Sequence, residues 1–396
     1  MLFNQTGKPP LPAPPARAAP AISPTHRNDG IDLLRGLSIL FVVVHHLALR
    51  FRLPLGPSLL GDVLPKRIID GLSFNGYEAV FVFFVISGFV ITRRSLERYG
   101  SLDAFRWRNF YALRATRIFP LLLLLLAILA VMHWLAVPGF IINKPGQSLG
   151  GALLSALTMT LNWYEGRTNW LPGAWDVLWS LSIEECFYLA FPLFCLIVRG
   201  PWRVMALIVL ALSLPWTRAA LQGNEIWQEK AYLPGMAAIA WGVLTALFVQ
   251  RVTLPRQWAR VVGGLAVTGL LAVVFFGDVL GRLLHDFIML LLCLSAACWL
   301  AAAHGSYRTV PRGLRWLTAM GRWSYEIYLS HMFVVLAVTP AYLAFTGGDM
   351  RWTFLAYVPV VAVCTVLGAA LHRYVSGPAA RRLVGRSPTP VATGVL

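Results

Sequence analysis

Residues Ile118–Leu135 read IFPLLLLLLAILAVMHWL, and one ionisable side chain, His133, interrupts the run. A helix needs roughly 20 mostly apolar residues to cross about 30 Å of hydrocarbon. Inside lipid every backbone N–H and C=O must be satisfied within the segment, which a helix does and an irregular chain does not. Residues Leu284–Ala303, LHDFIMLLLCLSAACWLAAA, repeat the pattern late in the chain. Outward from these two blocks, further candidate spans fall at about 31–50, 74–92, 176–198, 203–220, 232–250, 258–276, 323–345 and 353–375, with the opening blocks at 118–137 and 284–303. A shorter apolar stretch, about 148–163, is broken by Gly150, Gly151, Thr158 and Thr160.

Composition agrees. Hydrophobic residues make up 58% of the 396 and charged residues 13%, against about 25% charged in soluble domains. The expected architecture is an all-α polytopic membrane protein of about ten transmembrane helices plus one re-entrant or surface helix. The net charge of +17 would point to nucleic acid in a soluble protein. In a membrane chain, basic residues collect in cytoplasmic loops, so the bilayer is the expected partner and no nucleic acid is.

The charges also set the topology. The 93–117 loop carries Arg93, Arg94, Arg98, Arg106, Arg108, Arg114 and Arg117. Counting back from Arg373, Arg381, Arg382 and Arg386, basic loops recur at alternate positions: Arg308/Arg312/Arg315/Arg322, Arg251/Arg256/Arg260 and Arg199/Arg203. These agree only if the 176–198 span begins outside, so 148–163 returns to the outer face. The first outer loop, with Arg50, Arg52, Lys66 and Arg67, runs against the trend, and Asp62 and Asp70 offset it in part. The expected location is the cell (inner) membrane with both termini cytoplasmic. Residues 1–29, rich in proline from Pro9 to Pro24 and in alanine, read as a disordered cytoplasmic tail with no signal-peptide core. Residues 30–376 form the membrane domain and 377–396 a cytoplasmic C-terminal tail. The five cysteines lie in apolar stretches without metal-ligand spacing, so no metal is expected.

Chemistry must use polar groups in or beside the spans, where ionisable residues are costly and usually mark function. Arg35 and His46 are 11 positions apart in the first span, close to three turns and about 16 Å along one stripe; His45 points away. Trp179–Tyr188, WSLSIEECFY, places Glu184 and Glu185 well inside a span, with Ser180, Glu184 and Tyr188 on one face. Gly321–His331, GRWSYEIYLSH, aligns Ser324, Tyr328 and His331. Ser87, in FFVISG at Phe83–Gly88, lies outside any GxSxG elbow, which argues against a hydrolase-type serine nucleophile.

Taken in order, Ile31–His46 with its R-x10-H, FFVISGF at Phe83–Phe89, YALRATRIFP at Tyr111–Pro120, WSLSIEECFY and GRWSYEIYLSH resemble membrane acyltransferase family 3, the O-acetyltransferases of bacterial surface polysaccharides. The resemblance covers about residues 30–375. It implies acetyl-CoA or another acyl-CoA as donor substrate and a carbohydrate or other hydroxylated acceptor. It implies Arg35 and His46 as the functional pair and carries Glu184 and Glu185 over from the EE of the motif; Cys186 departs from the family's usual Gln. Arg114 and Arg117, with Arg93, are the expected holders of the coenzyme A phosphates. In the mechanism that follows, neutral His46 takes the acceptor's proton, Glu184 orients the imidazole, and Glu185, Tyr328 and His331 contact substrate. A transient acyl-His46 is the variant. The rival class is a proton-coupled transporter or flippase, which also uses intramembrane carboxylates and histidines.

Overall fold

A computed structural model describes residues 27–50, 55–304 and 310–384, with backbone only for Arg50 and 382–384. The expected tail up to residue 26, the end of the C-terminal tail from 385, and Arg52, Arg308 and Arg386 lie outside the described residues.

Nine helices among the described residues are long and apolar enough to cross a membrane: Asp29–Leu49, Gly76–Tyr99, Trp107–Trp134, Gly173–Ile197, Glu225–Arg251, Arg256–Leu284, Phe287–His304, Ser324–Thr346 and Phe354–Arg381. The chain is a multi-pass, all-α membrane protein. The remaining expected span, 203–220, is split into Gly200–Leu212 and Leu214–Ala219. Pro215 sits in the first turn of the second piece, where its missing N–H is tolerated.

The 148–163 stretch folds as two short helices, Leu149–Leu157 and Leu161–Thr168. At 1.5 Å per residue each rises only about 12–14 Å, too little to span. Met159, at φ +59°, breaks the helix between them. Lys144 Nζ donates to the Trp170 carbonyl at 2.7 Å and Gln147 Nε2 to the Asn169 carbonyl at 2.6 Å, so the segment closes on itself.

The arginine-rich stretch 93–117 is not a loop. The second spanning helix runs on to Tyr99 and the third starts at Trp107, leaving seven residues between them with a single 3-10 turn at Leu102–Ala104. Hydropathy marks only the apolar part of a helix, while long arginine stems let its ends continue into the interface. The consequence is that Arg114 and Arg117 ride on a rigid helix and share a face. Likewise the chain stays helical through Val384, so the residues just after 376 extend the last helix.

Close helix crossings hold the bundle. A Cβ on Gly88 would lie 2.0 Å from the Ile239 carbonyl oxygen, and one on Gly242 would lie 1.9 Å from that of Val85. The Gly76–Tyr99 and Tyr232–Arg251 helices therefore meet backbone to backbone at reciprocal glycines. Gly36 against Leu317 and Gly321 against Asp32 repeat the device at 1.9 Å each.

Candidate active site

Helices contributing Arg35, Ser87, Arg114, Glu184 and Tyr328 surround a cavity of about 100 Å³. At one end three guanidinium groups converge. Arg114 and Arg117 come from successive turns of the Trp107–Trp134 helix and Arg35 from the first helix. Arg35 Nε donates to Ser324 Oγ at 3.2 Å. Arg114 lies 3.9 Å above the Tyr188 ring, and its buried Nε has no hydrogen-bond partner among the described residues. None of the three makes a salt bridge among the described residues. Three half-buried guanidinium groups near only Glu184 and Glu185 leave an excess of positive charge in the cavity, and an entering anion would offset it.

Carboxylates occupy the middle. Glu184 faces Arg114 and Arg35 and accepts from the Tyr188 hydroxyl at 3.4 Å. Tyr188 is in turn bonded to Ser87 Oγ. Glu185 lines the same cavity and leaves Oε1 buried without a partner among the described residues.

Hydroxyls line the cavity too, with two imidazoles just outside it. Ser180 Oγ donates to the Tyr328 hydroxyl at 2.8 Å, and that hydroxyl donates to the Val177 carbonyl at 2.9 Å. Beyond Tyr328 lies His331, fully buried. Its Nδ1 is 2.7 Å from the Tyr328 carbonyl, which fixes the proton on Nδ1 and leaves Nε2 as an acceptor with no partner among the described residues. The His331 ring centre is 5.1 Å from that of His46 and 5.9 Å from that of Tyr328. His46 opens a π-helical turn, His46–Arg50, a widening often found at functional sites.

Residues 28–374 match the family model described as an acyltransferase domain. The chain belongs to this acyltransferase family. It is 28% identical to the acyltransferase MdmB of Streptomyces mycarofaciens over 80% of this chain and 84% of that protein. It is 23% identical to the putative peptidoglycan O-acetyltransferase YrhL of Bacillus subtilis over 87% of this chain and 53% of that one. It is 24% identical to the peptidoglycan O-acetyltransferase OatA of Listeria monocytogenes over 52% and 29%. The chain thus spans about half, or less, of the length of the two peptidoglycan relatives. No solved structure matches. Membership places the protein among enzymes, as an acyltransferase, rather than among transporters.

Six of the nine site residues expected from sequence line the acyltransferase's cavity: Arg35, Arg114, Arg117, Glu184, Glu185 and Tyr328. The His46 and His331 rings meet at a tilt of 34° just past Tyr328. Arg93 is not brought in. Its Nε lies 2.7 Å from Glu97, one turn along the same helix; Arg93 shares a stripe with the cavity-lining Ile86 and Val90 but stands about 10 Å further along the axis than Ile86. The described ring neighbours of His46 are His45 and His331, whereas the contacts of Glu184 lie with Tyr188 and the arginines. Tyr328, expected to contact substrate, has its one proton committed to a backbone carbonyl.

Sequence reading passed over Ser87 and Tyr188 as site groups, although both stand in quoted motifs and Tyr188 shares the Glu184 face. It also missed a buried cluster beside the site. Lys230 is fully buried, with Nζ 2.6 Å from Glu165 Oε2, bonded to Asp176, and 3.9 Å from the centre of the Trp170 ring. The three charges sit 54 and 65 positions apart, a pairing no local pattern reveals.

Proposed function

We propose that this acyltransferase moves an acyl group, acetyl in the first instance, from an acyl-CoA to a hydroxyl of a carbohydrate or glycosylated acceptor, as an O-acyltransferase of the cell membrane. The observation that carries the reading is a cavity lined by Arg35, Arg114, Arg117, Glu184 and Tyr328, its three guanidinium groups in no salt bridge among the described residues, with the His46 and His331 rings 5.1 Å apart just past Tyr328. The arginine end faces the cytoplasm and holds the anionic nucleotide of the donor through Arg114 and Arg117. Arg35 holds negative charge deeper in, where Ser324 fixes its guanidinium. The thioester arm runs along the cavity toward Tyr328. Past Tyr328 neutral His46 accepts the acceptor's proton, and His331, whose tautomer the Tyr328 carbonyl sets, supports the neighbouring His46 ring. Glu184 and Glu185 balance the guanidinium charge between the two ends. The names of the relatives support the O-acetyl transfer, since two are peptidoglycan O-acetyltransferases.

The test is transfer of labelled acetyl from acetyl-CoA to surface glycan in membranes containing the protein. His46→Ala is expected to abolish transfer with insertion and abundance unchanged, while His45→Ala does less harm. Near-normal acylation by the His46→Ala protein refutes the assignment.

A further inference from the structure

We propose that Ser87 carries the acyl group as a transient ester between donor and acceptor. The inference rests on the reading that a thioester enters this cavity. It concerns what happens to the acyl carbon there.

The argument starts from where hydroxyl protons go. Serines in membrane helices commonly donate back to the carbonyl one turn earlier. Ser95, on the same helix as Ser87, donates to Ile91 at 2.8 Å, Ser38 to Leu34 at 2.9 Å and Ser330 to Glu326 at 2.8 Å. Ser87 is turned instead across the bundle to Tyr188, 101 positions away. Among the described hydroxyls lining the cavity, the others are satisfied without reaching a base. Tyr328 ends on Val177 and Tyr325 on Ile118, both backbone carbonyls, and Ser180 gives to Tyr328. Ser324 receives from Arg35. The Ser87 chain alone ends on a carboxylate: Tyr188 donates to Glu184, which leaves Tyr188 as acceptor for the Ser87 proton.

Missing the GxSxG elbow therefore does not disqualify Ser87. An elbow serves to expose a serine to a base, and here Tyr188 and Glu184 supply that connection through a helix face. The neighbour Gly88 presses against Ile239, so the hydroxyl is held on a rigid backbone contact. Ser87 also lies midway along the Gly76–Tyr99 helix and lines the same cavity as Arg35, Arg114, Arg117 and Tyr328, where a carrier must stand.

The step balances. Ser87 Oγ bonds to the thioester carbon and the C–S bond breaks. The hydroxyl proton passes through Tyr188 to Glu184 and returns to the departing sulfur, giving a free thiol and a serine ester. In the second half the acceptor oxygen bonds to the same carbon, the C–Oγ bond breaks, and the proton released by the acceptor restores the Ser87 hydroxyl.

A carrier ester makes the donor half reversible without any acceptor. Labelled free coenzyme A should then exchange into acetyl-CoA in acceptor-free nanodiscs of the full chain. Ser87→Ala should lose this exchange by 10²-fold or more, about the low end for removing a positioned reacting group, and Ser87→Cys should keep part of it as a thioester cleaved by hydroxylamine. Tyr188→Phe should slow it while leaving coenzyme A binding intact. Full-rate acceptor acylation by Ser87→Ala, or a complete reaction in the parent with no exchange, overturns the carrier and leaves acyl-CoA as donor. A parent protein that neither binds coenzyme A nor exchanges it overturns both readings together, and the binding measurement tells the cases apart.

Discussion

Replacing Lys230 by methionine should damage the protein more than any other single charge removal outside the cavity. The ammonium is fully buried between two carboxylates, Glu165 with no exposure and Asp176 with 4%, and over the face of Trp170. Methionine fills much of the same volume, so the loss is mainly electrostatic. Removing one partner of a buried pair costs about 3–5 kcal/mol, and the lost cation–π contact adds up to about 2 kcal/mol when desolvated. The stranded carboxylates can escape by taking up protons. Burial and the neighbouring Asp176 already raise the Glu165 carboxyl to about 8, so it escapes at little cost, whereas protonating Asp176 at neutral pH costs roughly 3 pKa units at 1.36 kcal/mol each, or about 4 kcal/mol. The net expectation is about 3–5 kcal/mol at pH 7, shrinking as pH is lowered and protons become available. Chemical unfolding in detergent measures it. The triple change Lys230→Met, Glu165→Gln, Asp176→Asn removes every charge and should recover most of the loss, because neutral groups of like shape do not strand a charge. A Lys230→Met protein within about 0.5 kcal/mol of the parent, the range of ordinary surface changes, would show that the cluster is not a closed ion triad.

Gly242→Leu should cost about 1–3 kcal/mol or more in the same assay through overpacking, since the first added carbon already meets the Val85 carbonyl at 1.9 Å; an unchanged unfolding midpoint would refute the close crossing. Arg114→Gln should weaken donor binding by roughly 10- to 100-fold, the value of a charge-assisted contact of about 1.5–3 kcal/mol, whereas Arg93→Ala, whose partner is Glu97, should leave the KM for acetyl-CoA unchanged. The Arg203 guanidinium bonded to Asp103 holds that carboxyl below the usual range. A depressed acid stabilises above its unfolded pKa of about 3.9 and loses that contribution as pH falls through the lower folded value. With Asp103 half-exposed, Asp103→Asn should cost only about 0.2–1 kcal/mol at pH 7, with no trend down to about pH 5; a steep dependence in that window would be the contrary result.

Runs such as Ile118–Leu135 determined by themselves that this is a bundle of membrane-crossing helices, because lipid leaves a long apolar segment no other way to satisfy its backbone. Local spacing likewise carried Arg35 with His46, Glu184 with Tyr188, and Tyr328 with His331, since a helix of known pitch turns sequence distance into a shared face. Arg93 could not be told from Arg114 that way: both are arginines at the end of an apolar block, on two different helices, and only the packed bundle decides which one reaches the cavity. The same holds for Ser87 and Tyr188, whose hydroxyls meet across two helices, for the ring that meets His46, which is His331, and for Lys230 with its two carboxylates. Periodicity acts along one helix, whereas these contacts depend on crossings set by glycines such as Gly88 and Gly242, where backbones touch and the rotation of each helix is fixed by its neighbour.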